Sequence, residues 1–389
     1  MNEYVRQFRD FFVSIRLTVG LLLLSMILVF WATLAQVELG VWGVQHKFFH
    51  SFVVLQEIPR TGISIPAFPG GYFVGGLLLI NLLAAHIYRF KFEWRKSGIQ
   101  LTHAGLILLL LGELFTGLMS QESMMRIDEG ETKHYSESYR EFELAVMDIT
   151  DPAFNDVVAI PEAVLADTGT VQHPKLPFQV RIREYYVNAS LQMKSQAPGM
   201  PASRATAGVG PGISVTPLRP STKENEGNMP ASLVELAGPE GTLGTWLVSP
   251  ALGQPQTVAY QGRTWELTLR LRRYYQPHSV QLLKFVHEKY AGTDIPKNFA
   301  SRIRLTTDNQ REDREVLVYM NNPLRYAGLT YYQAGFDPNN DHNTILQVVR
   351  NPSWVLPYIA CIMMGAGLVI QFGIHLFGFF RKRSAAAAA

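Results

Sequence analysis

The sequence predicts a membrane protein: a four-transmembrane-helix bundle with a large β-rich extracytoplasmic domain inserted between helices 3 and 4. Hydrophobic residues make up 47% of the chain and charged residues 17%, below the roughly 25% charged that is usual in soluble proteins. The apolar residues gather into four runs, each near the about 20 residues needed to cross a hydrocarbon core. Between the third and fourth runs lies a long segment with the alternating, β-branched and aromatic pattern of strands.

The four runs extend from Leu17 to Leu34, Tyr72 to Tyr88, Ile99 to Met119 and Trp354 to Phe380. The first reads as a retained span rather than a cleaved leader, because it is long and no small-residue cleavage site follows it. Lysines and arginines set the orientation. Arg6, Arg9 and Arg16 precede the first run; Arg89, Lys91, Arg95 and Lys96 fill the short loop after the second; Arg381, Lys382 and Arg383 follow the fourth. The loop between the first two runs carries only Lys47 and Arg60. All three basic clusters fall on one side if both termini are cytoplasmic. The expected layout is a cytoplasmic N-terminus (1–16), helices 1–3 (17–119), an external domain (120–352), helix 4 (353–380) and a cytoplasmic tail (381–389). The protein is then multi-pass in the cell inner (cytoplasmic) membrane, embedded in the lipid bilayer, with its large domain on the periplasmic side.

A formal net charge of +3 and no basic, aromatic-interleaved patch argue against nucleic acid as a partner. The single cysteine, Cys361, lies inside an apolar run, so the chain offers neither an internal disulfide nor a Cys-x-x-Cys redox pair. In the external domain QVRIREYYV, TWELTLRLRRYY, SRIRLTT, EVLVYMN and TILQVVR read as strands, and a β-sandwich or paired sheets is the expected architecture. Residues 195–230, rich in Pro, Gly, Ser and Asn, read as a long exposed loop or flexible insert. No nucleophile–base pair or metal-ligand spacing is visible in the domain, so it is expected to act through contact.

An ionisable residue inside a span is a functional hypothesis by default. His86 sits three residues before Arg89, roughly 5 Å along the helix. His103 is seven residues after Lys96 and His375 six before Arg381, each about 10 Å from those charges. Three histidines on three helices thus share the cytoplasmic third of the membrane. Neutral imidazole ligates iron, and histidines on neighbouring helices can hold a haem edge-on in a bundle. For His375 the expectation is an interfacial histidine without a ligand role. His86 lies on the same helix face as Gly75, eleven residues away, and Gly71 and Gly75 form a small-xxx-small pair, so His86 is expected to face the bundle as a ligand. His103 stands open between ligand and packing. Glu113, about 15 Å from His103 along the helix, either bonds a neighbouring helix or supports a cofactor or partner. Asn81 reads as a packing group.

The segments SIRLTVGLLLLSMILVFWATL, NLLAAHIYRF with GIQLTHAGLILLLLGELFTG, PHSVQLLKFVHEKYAGTDIPKNFASRIRL, YMNNPLRYAGLTYYQAGFDPNN and QVVRNPSWVLPYIACIMMGAGLVIQF resemble the ResB family of cytochrome c biogenesis proteins. The resemblance implies a component of the system II pathway, which attaches haem covalently to c-type cytochromes outside the cytoplasm. Such a protein works with a CcsA-type partner whose tryptophan-rich WWD motif holds haem; no such motif occurs in this sequence. By motif position the family's haem-ligating transmembrane histidine maps onto His86, and His103 matches a histidine common in the third span. The implied path takes haem b in from the cytoplasmic half, with His86 as axial ligand to its iron. The second ligand comes from the partner or from His103, and haem passes to the partner for attachment to apocytochrome c. Any synthase activity would belong to the complex rather than to this chain alone. Two other readings stand beside it: a haem b-containing membrane electron-transfer subunit using both histidines, and a scaffold without haem. Aromatics around Tyr326 to Phe336 and Tyr290 to Phe299 are either core or interface; as interface, Tyr331 or Tyr332 would tolerate Phe but not Ala.

Overall fold

The structure, a computed structural model, describes residues 3–58, 61, 63–89, 93–195, 202–223, 226–289, 292, 296–307, 312–337 and 340–388. It divides into two compact units. Met1–Gln121, Thr222–Glu224 and Arg350–Ala389 form a helical unit; Glu122–Ser221 and Asn225–Val349 form a β-rich one. The helices are α1 (Glu3–Phe12), α2 (Ile15–Val44), α3 (Gly71–Arg89), α4 (Ser97–Met119), the short α5 (Glu162–Ala166) in the β-rich unit, and α6 (Leu356–Ala388). Among the described residues, four stretches are long and apolar enough to cross a membrane: Ile15–Phe49, Gly71–Tyr88, Trp94–Met119 and Leu356–Ala386.

Helix bounds depart from the hydropathy reading in three places. Residues 1–16 include α1, which shows Tyr4, Phe8 and Phe11 on one exposed side and Arg6 and Arg9 on the other. Helix α2 runs ten residues past Leu34, since Gln36 and Glu38 end an apolar run but are good helix formers. It breaks at Gly40, whose φ of 70° suits a residue without a Cβ, and continues into a π-turn, Gln45–Phe49. The segment expected as a plain loop then forms a hairpin, Val53–Glu57 with Ser64–Pro69. The hairpin's Val54 is buried with Leu28, Ala32, Val44 and Phe48, and Trp31 packs edge-on to Phe48. Helix α6 continues through the expected tail to Ala388, because alanine is the strongest helix former.

Helix pairing within this unit follows small residues. Gly98, Gly105 and Gly112 are buried, seven residues apart, along one side of α4. A Cβ on Gly98 would lie 2.5 Å from the Gln371 nitrogen and the Gly367 carbonyl; one on Gly105 would lie 2.9 Å from the Ala360 carbonyl; one on Gly112 would lie 3.1 Å from the Leu356 Cβ. The descending partner numbers make α4 and α6 antiparallel. A seven-residue repeat favours a left-handed wrap. The pair Gly71 and Gly75 does not serve this purpose. Gly71 abuts the Phe49 backbone, whereas Gly75 has nothing within 4 Å. Among the described residues, Gly75 therefore makes no close contact that would turn His86 inward. Asn81 is a packing group as expected: its amide donates to the carbonyls of Phe12 (2.6 Å) and Ser14 (3.3 Å), and its oxygen accepts from the Thr18 hydroxyl (2.6 Å). It thereby ties the α1–α2 elbow to α3.

In the β-rich unit each segment read as a strand forms one: Gln179–Tyr186, Arg263–Lys289, Pro296–Thr307, Asp313–Tyr319 and Asn340–Arg350. The organiser is Arg263–Lys289. Its first half pairs with Gln256–Tyr260 and Thr132–Asp148, and its second half with Pro296–Thr307. Register shifts between Tyr275 and Val280 separate the halves. Two cores result. In one, Leu144, Val146, Leu267 and Leu269 meet Val180, Val234 and Leu236 of a four-stranded sheet, with Trp265 and Phe178 edge-on. In the other, Met125, Ile127, Val280, Leu282, Ile303, Leu305 and Leu346 line a curled sheet. Residues two apart recur in both, the strand period that the sequence shows. On the opposite side of the first sheet, Arg270 and Glu143 form a buried ion pair at 3.0 Å.

Two readings of this unit change. Described parts of 195–230 are ordered: Ile213–Pro217 pairs with Ala189–Met193, and Ala205 is buried. Proline and glycine on both sides mask that five-residue strand. Residues 196–201 and 224–225 lie outside the described residues, as do 290, 291 and 293–295 of the aromatic segment. Tyr331 is not an exposed contact residue. It is fully buried in the second core, whereas Tyr332 is 38% exposed. The Tyr331 hydroxyl donates to Gln276 Oε1 (2.8 Å), so the Nε2–H of His278 must donate to the Tyr331 oxygen (2.6 Å). That tautomer leaves His278 Nδ1 buried without a hydrogen-bond partner.

Burial pushes the His278 pKa below its ordinary value, against an opposing pull from Glu312. The unfolded chain therefore binds the proton more readily than the fold. Stability contributed by neutral His278 is present above about pH 6.5 and is lost as the pH falls below it. Thermal melting of the β-rich unit should weaken from pH 7.5 to 5.5, and His278→Gln should flatten that slope. An unchanged slope in the variant would place the titration elsewhere.

Candidate functional site

A candidate site in the helical unit is built where α3 ends and α4 begins. His86 projects from the last turn of α3, three residues before the helix ends at Arg89. The chain returns through a 3-10 turn, Trp94–Lys96, directly into α4. The first N–H groups of a helix have no partner within it, and α6 supplies one here. Gln371 Oε1 accepts from the Ile99 N–H (3.3 Å), while its amide donates to the Arg95 carbonyl (3.2 Å) and to His375 Nε2 (3.0 Å). One side chain thus holds the turn, the start of α4 and a histidine in fixed relation.

An open groove of about 730 Å³ lies beside this clamp. His86 lines it from α3, Trp94 and Arg95 from the turn, Ser97, Gln100, Leu101 and Ala104 from α4, and Ile370 and Ile374 from α6. Its size falls within the roughly 300–1,000 Å³ of ligand sites, and its make-up is theirs too: apolar walls with a few polar groups. Imidazole, indole and guanidinium on aliphatic walls suit a flat, largely apolar ligand that offers a metal or an acid.

The other candidates fall elsewhere. His103 is exposed and does not line the groove. It stands about 100° round α4 from Ala104 and nearly opposite Gly105, on the side away from α6. Its Nδ1 donates to the Ile99 carbonyl (2.8 Å), which leaves Nε2 as the nitrogen with a lone pair. His375 lines a neighbouring groove with Arg95, Arg381 and Lys382, and its Nε2 already accepts from Gln371. Glu113 is exposed, more than two turns beyond the groove along α4. The sequence reading missed Gln371 and counted Arg95 only as an orienting charge. The repeat Gly98, Gly105 and Gly112 was the available signal, because it places Gln371 beside the start of α4.

Residues 253–345 match the ResB-like family. A segment of 93 residues is 28% identical to Protein NrfI of Wolinella succinogenes, covering 24% of this chain and 10% of that protein. This chain therefore aligns with a small part of that relative's length. The family match lies in the β-rich unit, where it takes in most of the second core, and leaves the four apolar helices outside it. Over residues 253–345 the chain is thus similar to the ResB-like family, in agreement with the motifs of its sequence.

Proposed function

We propose that this multi-pass membrane protein is the ResB-like component of a system II cytochrome c maturation complex. It takes up haem b as cargo at the groove beside His86 and hands it to a CcsA-type WWD partner for attachment to apocytochrome c. The observation that carries the reading is the groove itself, which sets the histidine chosen from the sequence against aliphatic walls and an arginine. Residues at this end of the helices include the basic Arg95, Lys96, Arg381 and Lys382, which favours a cytoplasmic position for it.

In this mechanism the His86 imidazole would supply one nitrogen lone pair to the iron. Leu101, Ala104, Ile370 and Ile374 would offer apolar walls to the ring, and Trp94 an aromatic face. A second ligand to the iron would come from the partner, a choice supported by the position of His103 off the groove. The β-rich unit contributes a surface for the partner or the apocytochrome.

His86→Ala should lower co-purifying haem severalfold and impair cytochrome c maturation, with partial rescue by added imidazole. His103→Ala should have the smaller effect. Unchanged haem in stable, inserted His86→Ala protein would remove His86 from the site. Stoichiometric, redox-reversible haem in the chain without any partner would support the electron-transfer reading instead.

A further inference from the structure

Arg95 gives the groove a property that the iron ligand alone does not explain. Among the described residues lining it, Arg95 carries the one permanent charge. Its neighbour Lys96 is engaged differently, pairing with Glu93 at 3.0 Å on the exposed side of the turn. The backbone at Arg95 is fixed by the bond from Gln371, and α4 begins immediately after, with the Gly98 seam locking it against α6. A guanidinium held at the rim of an apolar groove is a ready partner for a carboxylate, since it presents a planar fork of donors that matches two oxygens. A carboxylate there also keeps its far side in water, which avoids the desolvation cost of a fully buried pair.

We propose that Arg95 is the anion anchor of this groove, binding a carboxylate substituent of a flat tetrapyrrole and so fixing which edge of the ring points towards the turn. This rests on the reading of the groove as a haem site. It adds a polarity: the acidic edge of the ring would face the turn that carries Arg95. Gln371 then acts as a positioning residue, because it holds the segment that carries Arg95 without lining the groove itself.

The test uses the full-length chain in detergent micelles, titrated with hemin and with hemin dimethyl ester, in which both carboxylates are masked. Arg95→Gln should weaken hemin binding about tenfold, as expected when a charge-assisted hydrogen bond is lost. The same variant should bind the dimethyl ester as the unsubstituted chain does. The absorption maximum of the bound haem should stay in place, because the iron ligand is untouched. Arg95→Lys should fall between, and Lys96→Gln should leave hemin binding unchanged. Equal losses for hemin and its ester, or no loss for either, would overturn the anchor. So would an equal loss from Lys96→Gln, which would mean diffuse attraction rather than a site. The haem reading fails separately: His86→Ala with an unaltered spectrum and affinity would refute it, whatever Arg95 does.

Discussion

Gly98→Leu should be the most damaging single substitution in the helical unit. The first atom of the new side chain would fall 2.5 Å from the backbone nitrogen of Gln371 and from the carbonyl of Gly367. Backbone cannot rotate out of the way as a side chain can, so α4 and α6 must separate. Separation also breaks the Gln371 bonds to Ile99 and Arg95. Overpacking of this kind costs about 1–3 kcal/mol before any hydrogen bond is lost. The expected outcome is a steep fall in folded protein after detergent extraction, read by thermal melting, together with lower haem retention. Gly75→Ala is the control. Nothing lies within 4 Å of that site, so its melting temperature should hold or rise slightly, since alanine is the better helix former. Equal damage from both substitutions would mean that helix propensity, rather than close approach, governs these glycines.

Tyr331→Ala should cost the β-rich unit about 3–5 kcal/mol through the cavity it leaves. Tyr331→Phe keeps the ring but strands Gln276 Oε1 and His278 Nε2, both of which bond the hydroxyl. An unsatisfied buried group costs about 1–3 kcal/mol, so the Phe variant should be intermediate. Tyr332, with its side chain partly in solvent, should tolerate either change in stability. Proteolysis and melting of the intact protein give the ranking directly. A Phe variant as stable as the unsubstituted chain would show that the hydroxyl network carries little. A stable Ala variant would show that Tyr331 lies outside the core.

Much of the architecture is legible in the sequence for identifiable reasons. Long apolar runs report membrane-compatible helices because the length and composition that lipid demands leave few alternatives. Alternation reports strands such as Pro296–Thr307, where Ile303 and Leu305 are fully buried. What escapes is what a single segment does not contain. The continuation of α2 to Val44 depends on the hairpin that covers it, since Val44 and Phe48 are buried with Val54. The strand Ile213–Pro217 is held by pairing with Ala189–Met193, residues twenty or more positions away. At the site, His86 could be selected from depth and sequence motif, but the walls around it come from three helices and a turn. The role of Tyr331 was ambiguous because an aromatic-rich strand looks the same whether its rings face a core or a partner.

The glycine seam also has a consequence for synthesis. Helix α4 ends at Met119 and its mate α6 begins at Leu356, so more than 230 residues must be made before the two can meet. At roughly 5–20 residues per second, the flat side of α4 waits on the order of 10–50 seconds without its natural cover. During that interval it can be occupied by lipid, by a neighbouring helix of this chain or by a helix of another protein. A chain that stalls within the β-rich unit would leave the glycine side of α4 uncovered by α6.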